Sequence, residues 1–369
     1  MTDFKVPFID LKQRFEEERA ELLACVERVM AKGNFILTQE VADLEQDVQR
    51  YTGIKHCVGL NSGTDALMLA LWAFGVGKGD EVITTPISFV ASTASIAHVG
   101  ATPVYADVRD DQNIDPAEIE KKITKRTKAI MPVHWCGRIA DMDAILDIAK
   151  RHKLLVIEDS AQTMGAYYKG KHGGGFGAAG GISLHPLKNF NALGDGGLLL
   201  TNDDEAAKKI RLYRNHGLAD RDTCVIYGVN SRLDSLHAEV LKFRLTRLKS
   251  VVDRRRRNVA RYRERIRAPQ VFMPPCKPHE HNAFVMFIVQ ADNRDKLKAY
   301  LNDRGIQTLV YYGTPLHLQK AAARLGYKRG DFPVAERQAD RVLALPHHQH
   351  LTLDQIDYVA DAVNAFYGN

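Results

Sequence analysis

No apolar run in this chain approaches the roughly 20 residues that cross a bilayer. Positions 16–21 hold Glu16, Glu17, Glu18, Arg19 and Glu21, where a secretory signal needs an apolar core. A cytoplasmic protein with no membrane partner is expected. Cysteine is scarce: Cys25, Cys57, Cys136, Cys224 and Cys276 stand singly, so no close pair suggests zinc, and the odd number argues against a disulfide framework. Reduced thiols are expected. Internal repeats and low-complexity stretches are missing as well, which leaves ordinary globular domains to account for the length. The charge is only mildly one-sided, at +6, but Arg254, Arg255, Arg256, Arg257, Arg261, Arg263, Arg265 and Arg267 concentrate it on one predicted helix. No aromatic platform or groove-reading motif accompanies them, so a solvated helix face is expected and not a nucleic-acid partner. His347, His348 and His350 follow Pro346 without carboxylate or cysteine company; surface histidines are expected there, and no metal site.

With 369 residues, 45% of them hydrophobic and 26% charged, the chain can bury a full core and is long for one domain. A large domain over 1–245 and a smaller one over 246–369 are expected. Phe15, Leu22, Leu23, Val26, Val29 and Met30 recur at helical spacing before Gly33 and Asn34 end the pattern, and Val41, Leu44 and Val48 mark a second helix. A short strand at 57–60 leads into a helix at 66–74 that is apolar almost all round and therefore buried. Strands at 81–85, 102–106, 128–133 and 154–159 then alternate with helices at 91–99 and 142–151. Such alternation predicts an α/β fold with a mainly parallel sheet covered on both faces. Beyond a long helical pattern at 231–248, strands at 284–289 and 308–312 and helices at 297–304 and 356–366 predict a small α+β C-terminal domain.

The most informative stretch is Gly180-Gly181-Ile182-Ser183-Leu184-His185-Pro186-Leu187-Lys188-Asn189, followed by Gly194-Asp195-Gly196-Gly197. It sets a lysine beside a serine and a histidine on a proline-bounded turn between two apolar runs. A lone lysine in a loop is ordinarily a surface residue, but Asp159 changes the reading. It ends Leu154-Leu155-Val156-Ile157-Glu158-Asp159, a run apolar enough for a buried parallel strand whose carboxyl end points an acid into a crevice. An imine-forming lysine and a buried carboxylate at two strand ends match what pyridoxal phosphate (PLP) requires. Lys188 would form the Schiff base, and Asp159 would keep the pyridinium nitrogen protonated so that the ring accepts electrons. Asn61-Ser62-Gly63-Thr64-Asp65 opens the apolar helix, where the N–H groups of Gly63 and Thr64 and the helix dipole offer a phosphate cradle; taken alone, simple N-capping explains the same residues. Phe89, just past a strand end, is placed either to stack on a pyridine ring or to fill the core. Gly175-Phe176-Gly177-Ala178-Ala179-Gly180 fits the dinucleotide pattern G-x-G-x-x-G but leads into a strand instead of a helix, so it reads as a flexible turn bringing backbone near the cofactor.

Six ordered motifs complete the pattern: Asn61-Ser62-Gly63-Thr64, Glu158-Asp159-Ser160-Ala161-Gln162, Ser183-x-His185-x-x-Lys188-Asn189, Gly194-Asp195-Gly196-Gly197, Asn230-Ser231-Arg232 and Tyr311-Tyr312-x-x-Pro315-Leu316-His317. Together they resemble, over essentially the whole chain, the sugar aminotransferases of the DegT/DnrJ/StrS type, which have the type I (aspartate aminotransferase) PLP fold. The resemblance implies that Lys188 carries the cofactor, Asp159 pairs with its ring nitrogen, and Gln162 lies near its phenolic oxygen. It further implies that Gly63, Thr64 and Ser183 hold the phosphate, Phe89 stacks on the ring, and Asn230 reaches the cofactor phosphate of a neighbouring subunit in a homodimer with shared sites. His185 and His317 would line the sugar side, L-glutamate would be the amino donor, and a nucleotide-linked keto sugar the acceptor, serving amino-sugar synthesis such as that of lipopolysaccharide O-antigen. Two stretches depart from the family: Leu37-Thr38-Gln39 stands where Gly-Pro is common, and His237-Ala238-Glu239 where Gln-Ala-Ala is frequent. The first bears on the entrance and so on the substrate. Gly194-Asp195-Gly196-Gly197 resembles members that aminate carbon 3, whereas many carbon-4 enzymes carry Glu-Gly-Gly. A related branch dehydrates sugars with histidine at the lysine position, against which Lys188 argues; a non-catalytic regulator is expected to lose the lysine or the acid, and both are present.

Overall fold

The computed structural model describes residues 4–368. It begins with two amphipathic helices, α1 (Leu11–Lys32) and α2 (Gln39–Thr52), and each ends on a glycine in the left-handed region, Gly33 and Gly53. There follow β1 (His56–Leu60), α3 (Gly63–Ala73), β2 (Glu81–Thr84), α4 (Val90–His98), β3 (Thr102–Tyr105), α5 (Pro116–Glu120), β4 (Thr127–Met131), α6 (Met142–His152) and β5 (Leu155–Asp159). The short pair β6 (Tyr167–Tyr168) and β7 (Lys171–His172) precedes β8 (Ala179–Ser183), β9 (Gly197–Thr201) and α7 (Asp204–Tyr213).

Seven strands form the main sheet in the order β1-β9-β8-β5-β4-β2-β3. The pairs from β3 to β8 are parallel, while β9 runs antiparallel to both β8 and β1. Parallel strands need covering on both sides, and they have it. On one face α3 buries Leu67, Leu69 and Leu71; on the other α2 and α6 bury Leu44, Val48, Ile145 and Ile148.

Helix α8 (Ser235–Arg265) is 31 residues long and runs unbroken through position 245. Its residues up to Val252 pack Leu241, Leu248 and Val252 into the sheet's core; those beyond pack Val259 and Tyr262 into a separate C-terminal core. That second core is built on β10 (Val271–Phe272), β12 (Phe287–Ala291) and β13 (Val342–Leu345), with α9 (Arg294–Asn302) and α11 (Leu353–Phe366); β11 (Glu280–His281) pairs with β6, and α10 (Pro333–Arg341) leads into β13. No helix among the described residues is long and apolar enough to cross a membrane.

Three sequence expectations are corrected here. The basic run is no solvated face. Arg255 is fully buried, its guanidinium donating to the carbonyls of Phe284, Val285 and His347, while Arg254 pairs with Glu17 and Arg261 with Asp357. His347 and His348 are not surface histidines either: each is 2% exposed, the first bonded through Nε2 to the Phe284 carbonyl. Finally, residues 308–312 do not form a strand. Only Leu309 bridges β13, at Ala344, after which Tyr311 and Tyr312 turn to line a cavity.

Candidate active site

A cavity of about 270 Å³ lies at the carboxyl ends of the parallel strands, where α3 and α4 begin. Crevices of this kind, beyond the strand ends of an open α/β sheet, are the usual ligand sites of such folds. Local chemistry explains how each wall is held. Ser62 caps α3 by accepting the Asp65 N–H at 3.1 Å, so the capping reading is correct as far as it goes. The first N–H groups of a helix have no partners inside it, however, and those of Gly63 and Thr64 sit in the cavity wall. Glycine is required at two points there. A Cβ on Gly63 would lie 2.9 Å from the Ser183 Cβ, and one on Gly197 would lie 2.1 Å from the Ser62 carbonyl oxygen. The start of α3, the end of β8 and the start of β9 thus meet closely, and Gly63, Thr64 and Ser183 form a cup fit for an anion.

Lys188 stands on the turn after β8. Its own N–H donates to the His185 carbonyl at 2.9 Å, the Asn189 amide donates to the Ala283 carbonyl, and Arg244 donates to the carbonyls of Asn191 and Ala192. The turn is therefore fixed from both sides, yet among the described residues the Lys188 amine itself makes no hydrogen bond or ion pair. Loss of surrounding water lowers its pKa from the usual lysine range, with the nearby Asp159 pulling the other way. A lowered pKa leaves more free amine, the form that can attack a carbonyl.

Asp159 is 5% exposed and closes β5. Its Oδ2 accepts from Ser92 Oγ at 2.5 Å and its Oδ1 from the Ala161 N–H at 3.2 Å. Burial raises its pKa above the ordinary aspartate value, opposed by Ser92, Ala161, Lys188 and His134. Glu158, one residue earlier, points to the opposite face as strand alternation requires. Its carboxylate accepts from the N–H groups of Gly174, Phe176 and Gly177 and from His134 Nε2, all within 2.9 Å. The Ala140 N–H donates to His134 Nδ1 at 3.2 Å, which assigns the ring proton to Nε2. The glycine-rich turn is therefore corrected too: it wraps Glu158 and packs against strand backbone, a Cβ on Gly177 falling 2.2 Å from the Val156 oxygen, and it does not line the cavity.

Of the residues singled out from the sequence, Gly63, Thr64, Phe89, Asp159, Gln162, Ser183, His185 and Lys188 all line this one cavity, together with Asp195. Phe89 is 55% exposed at the rim, so it is not a core phenylalanine; its ring centre is 6.1 Å from that of Tyr312. His317 is brought elsewhere. It is 2% exposed, bonded through Nε2 to Glu336 at 3.0 Å and packed on Phe332, and these partners hold it away from the cavity wall. Asn230 also lies outside, on an exposed segment that it helps to close by bridging Asn215. Sequence reasoning missed Ser88, His134, Met286 and His347 as lining residues, and Ser92 behind them. The one available signal was the pair Ser88 and Ser92, four residues apart at a strand's carboxyl edge.

A cup for an anion, a free amine and a buried carboxylate in one cavity fit PLP by the chemistry of the donor set. Gln162 Oε1, buried without a partner at its edge, adds a polar group awaiting one. Comparisons with known proteins agree. The chain is 43% identical over 366 residues to the pleiotropic regulatory protein of Geobacillus stearothermophilus, covering 98% of either chain. It is 40% identical over 361 residues to the dTDP-3-amino-3,4,6-trideoxy-alpha-D-glucose transaminase of Streptomyces venezuelae, covering 97% of this chain and 95% of the other. The crystal structure of S. venezuelae DesV in complex with a ketimine intermediate superposes with a TM-score of 0.97 at 40% identity, over 100% of both chains. A family model matches residues 16–364, and the chain belongs to the DegT/DnrJ/EryC1/StrS aminotransferase family as a PLP-dependent transaminase of the type I fold.

Proposed function

We propose that this enzyme moves the amino group of L-glutamate to carbon 3 of a nucleotide-linked 3-keto-6-deoxy sugar. The observation that carries the reading is the Lys188 amine set against the buried Asp159 carboxylate in one cavity that also holds the Gly63–Ser183 cup. Bound PLP supplies an electron sink for the donor's α-carbon. Lys188 would hold the cofactor and, as a free amine, would be the base that moves a proton at the donor's α-carbon. Asp159 would keep the ring nitrogen protonated, Gly63, Thr64 and Ser183 would bind the phosphate, Gln162 would meet the phenolic oxygen, and Phe89 would cover the ring. His185 serves the sugar side.

Two features support carbon 3: Asp195 of Gly194-Asp195-Gly196-Gly197 lines the cavity, and the Streptomyces relative is named for a 3-amino sugar. The competing reading is amination at carbon 4. Purified enzyme given glutamate and equal concentrations of 3-keto-6-deoxy and 4-keto-6-deoxy nucleotide sugars is expected to place nitrogen at carbon 3 by NMR; exclusive amination at carbon 4 overturns the regiochemistry and leaves aminotransfer standing. The regulatory name carried by the Geobacillus relative does not weigh against catalysis, since Lys188 and Asp159 are both kept. We further assign a large PLP-binding domain and a small C-terminal one joined by α8, a cytoplasmic location, and a homodimer in which Asn230 completes the partner's phosphate site. Exposed Val225 and Tyr227 near Asn230 support an apolar contact there. An active, PLP-loaded monomer by sedimentation would contradict the dimer.

A further inference from the structure

We infer that Ser92, backed by Ser88, is the positioning residue that holds the Asp159 carboxylate ionised and aimed at the cofactor's ring nitrogen. The inference rests on the reading of the cavity as a PLP site and concerns Ser92, which lies behind the cavity wall, and Ser88, which lines it.

The geometry is a chain of two buried hydroxyls. Ser92, in the first turn of α4, is fully buried and lies 2.5 Å through Oγ from Asp159 Oδ2; Ser88, 4% exposed, lies 2.7 Å from Ser92 through the two hydroxyl oxygens. An ionised carboxylate only accepts. The single Ser92 proton therefore goes to Asp159, which leaves Ser92 Oγ to accept from Ser88, and the chain has one direction, from Ser88 to Ser92 to Oδ2. The Ala161 N–H takes Oδ1. With one donor on each oxygen, the carboxyl plane is set and lone pairs remain for a ring N–H.

The electrostatics give this chain its importance. Burial favours the neutral acid, and a neutral Asp159 would lose its hold on a protonated ring nitrogen. The Ser92 hydroxyl is the leading opposing influence, ahead of the Ala161 N–H and of Lys188. Tyr312, which also lines the cavity, feels the Asp159 charge but stays a neutral phenol, its pKa pushed up by burial. Removing the Ser92 hydroxyl thus shifts Asp159 toward the neutral form without emptying the cavity.

The test uses the full chain stripped of cofactor and titrated with PLP, then with the PLP analogue whose ring nitrogen is replaced by carbon. For Ser92→Ala the PLP affinity is expected to fall roughly 10- to 100-fold, the range for one hydrogen bond to a charged group, while affinity for the carbon analogue is unchanged. Ser92→Thr, which keeps the hydroxyl, is expected to restore PLP binding. With 15N-labelled PLP bound, the ring nitrogen should lose its proton at lower pH in Ser92→Ala than in the wild type. Equal loss for both ligands, or no loss for PLP, overturns the inference by making Ser92 a packing residue or an idle one. Should Ser92→Ala not fold, Ser88→Ala carries the test, with a smaller loss confined to PLP expected and an equal or absent loss refuting it. Failure of PLP to bind the wild-type chain would instead sink the cofactor reading itself.

Discussion

Glu158 and Asp159 are consecutive carboxylates on one strand, both buried, and they have opposite fates. Glu158 is surrounded by four donors, three of them backbone N–H groups. Burial alone would raise its pKa, but the His134 hydrogen bond and the Gly177 and Gly174 N–H groups outweigh that and hold it below the usual glutamate range. Asp159 has two donors, and its pKa stays raised. A buried acid whose acceptor sites are filled holds the fold together. One left partly unfilled beside a cavity is available to a ligand, and the fold bears the cost of its incomplete solvation.

The comparison can be broken from the open side first. Lys188→Ala removes the amine facing Asp159 and should take turnover below detection, with the visible absorbance of the bound cofactor lost and thermal stability kept. Asp159→Asn should slow the glutamate half-reaction on the order of 10²–10³-fold, the loss typical of removing one preorganised electrostatic partner, as read by stopped-flow absorbance with PLP bound. Its stability should not fall. A buried acid with a raised folded pKa contributes most below its unfolded pKa, and that contribution is lost as pH rises through the folded value. At neutral pH the asparagine removes a burden.

Glu158→Gln tests the other half. An amide nitrogen must oppose donors that faced an oxygen, so stability should drop by about 1–3 kcal/mol for each buried donor left unpaired, in urea unfolding at pH 7. The depressed Glu158 pKa means that its stabilisation is present above the unfolded carboxyl pKa and lost as pH falls through the folded value, so the variant should also show a flatter acid limb. A catalytic loss as large as that of Asp159→Asn would erase the distinction between the two acids. The smallest effect is expected for His317→Ala, which leaves Glu336 without its side-chain partner and should cost about 1–3 kcal/mol; a changed KM for the sugar would return His317 to the site.

Much of this was legible in the sequence because it is local. Helical spacing marked α1, α2, α6 and α11, alternation marked the parallel sheet, and a lysine and an aspartate at two strand ends marked the cavity. What stayed hidden depends on partners distant in sequence. Arg255 looks like one more solvated arginine until carbonyls 29, 30 and 92 residues away close around it, and His347 is buried by the same assembly. The expected strand at 284–289 begins late, at Phe287, since Arg255 holds the carbonyls of Phe284 and Val285. The glycines of 175–180 suggested a flexible turn, because a Glu158 that accepts from the N–H groups of Gly174, Phe176 and Gly177 cannot be told from an Asp159 that does not until the strand's two faces are assigned.

The buried Arg255 has a consequence for how this chain tolerates change. Its Nη1 reaches only main-chain oxygens, those of Phe284, Val285 and His347, and a carbonyl is the same whatever side chain follows it. One codon is therefore constrained while the residues behind those three carbonyls are free to drift; Gln349, whose Oε1 accepts from Nη2 at 3.1 Å, alone shares the constraint through its side chain. In a saturation library selected for folded protein, position 255 should refuse every replacement, including lysine, whose single nitrogen cannot serve the three carbonyls and Gln349 Oε1 together as Nη1 and Nη2 of the guanidinium do. Position 285 should accept many residues of similar size. Broad tolerance at 255 would mean that the carbonyls can be satisfied without it.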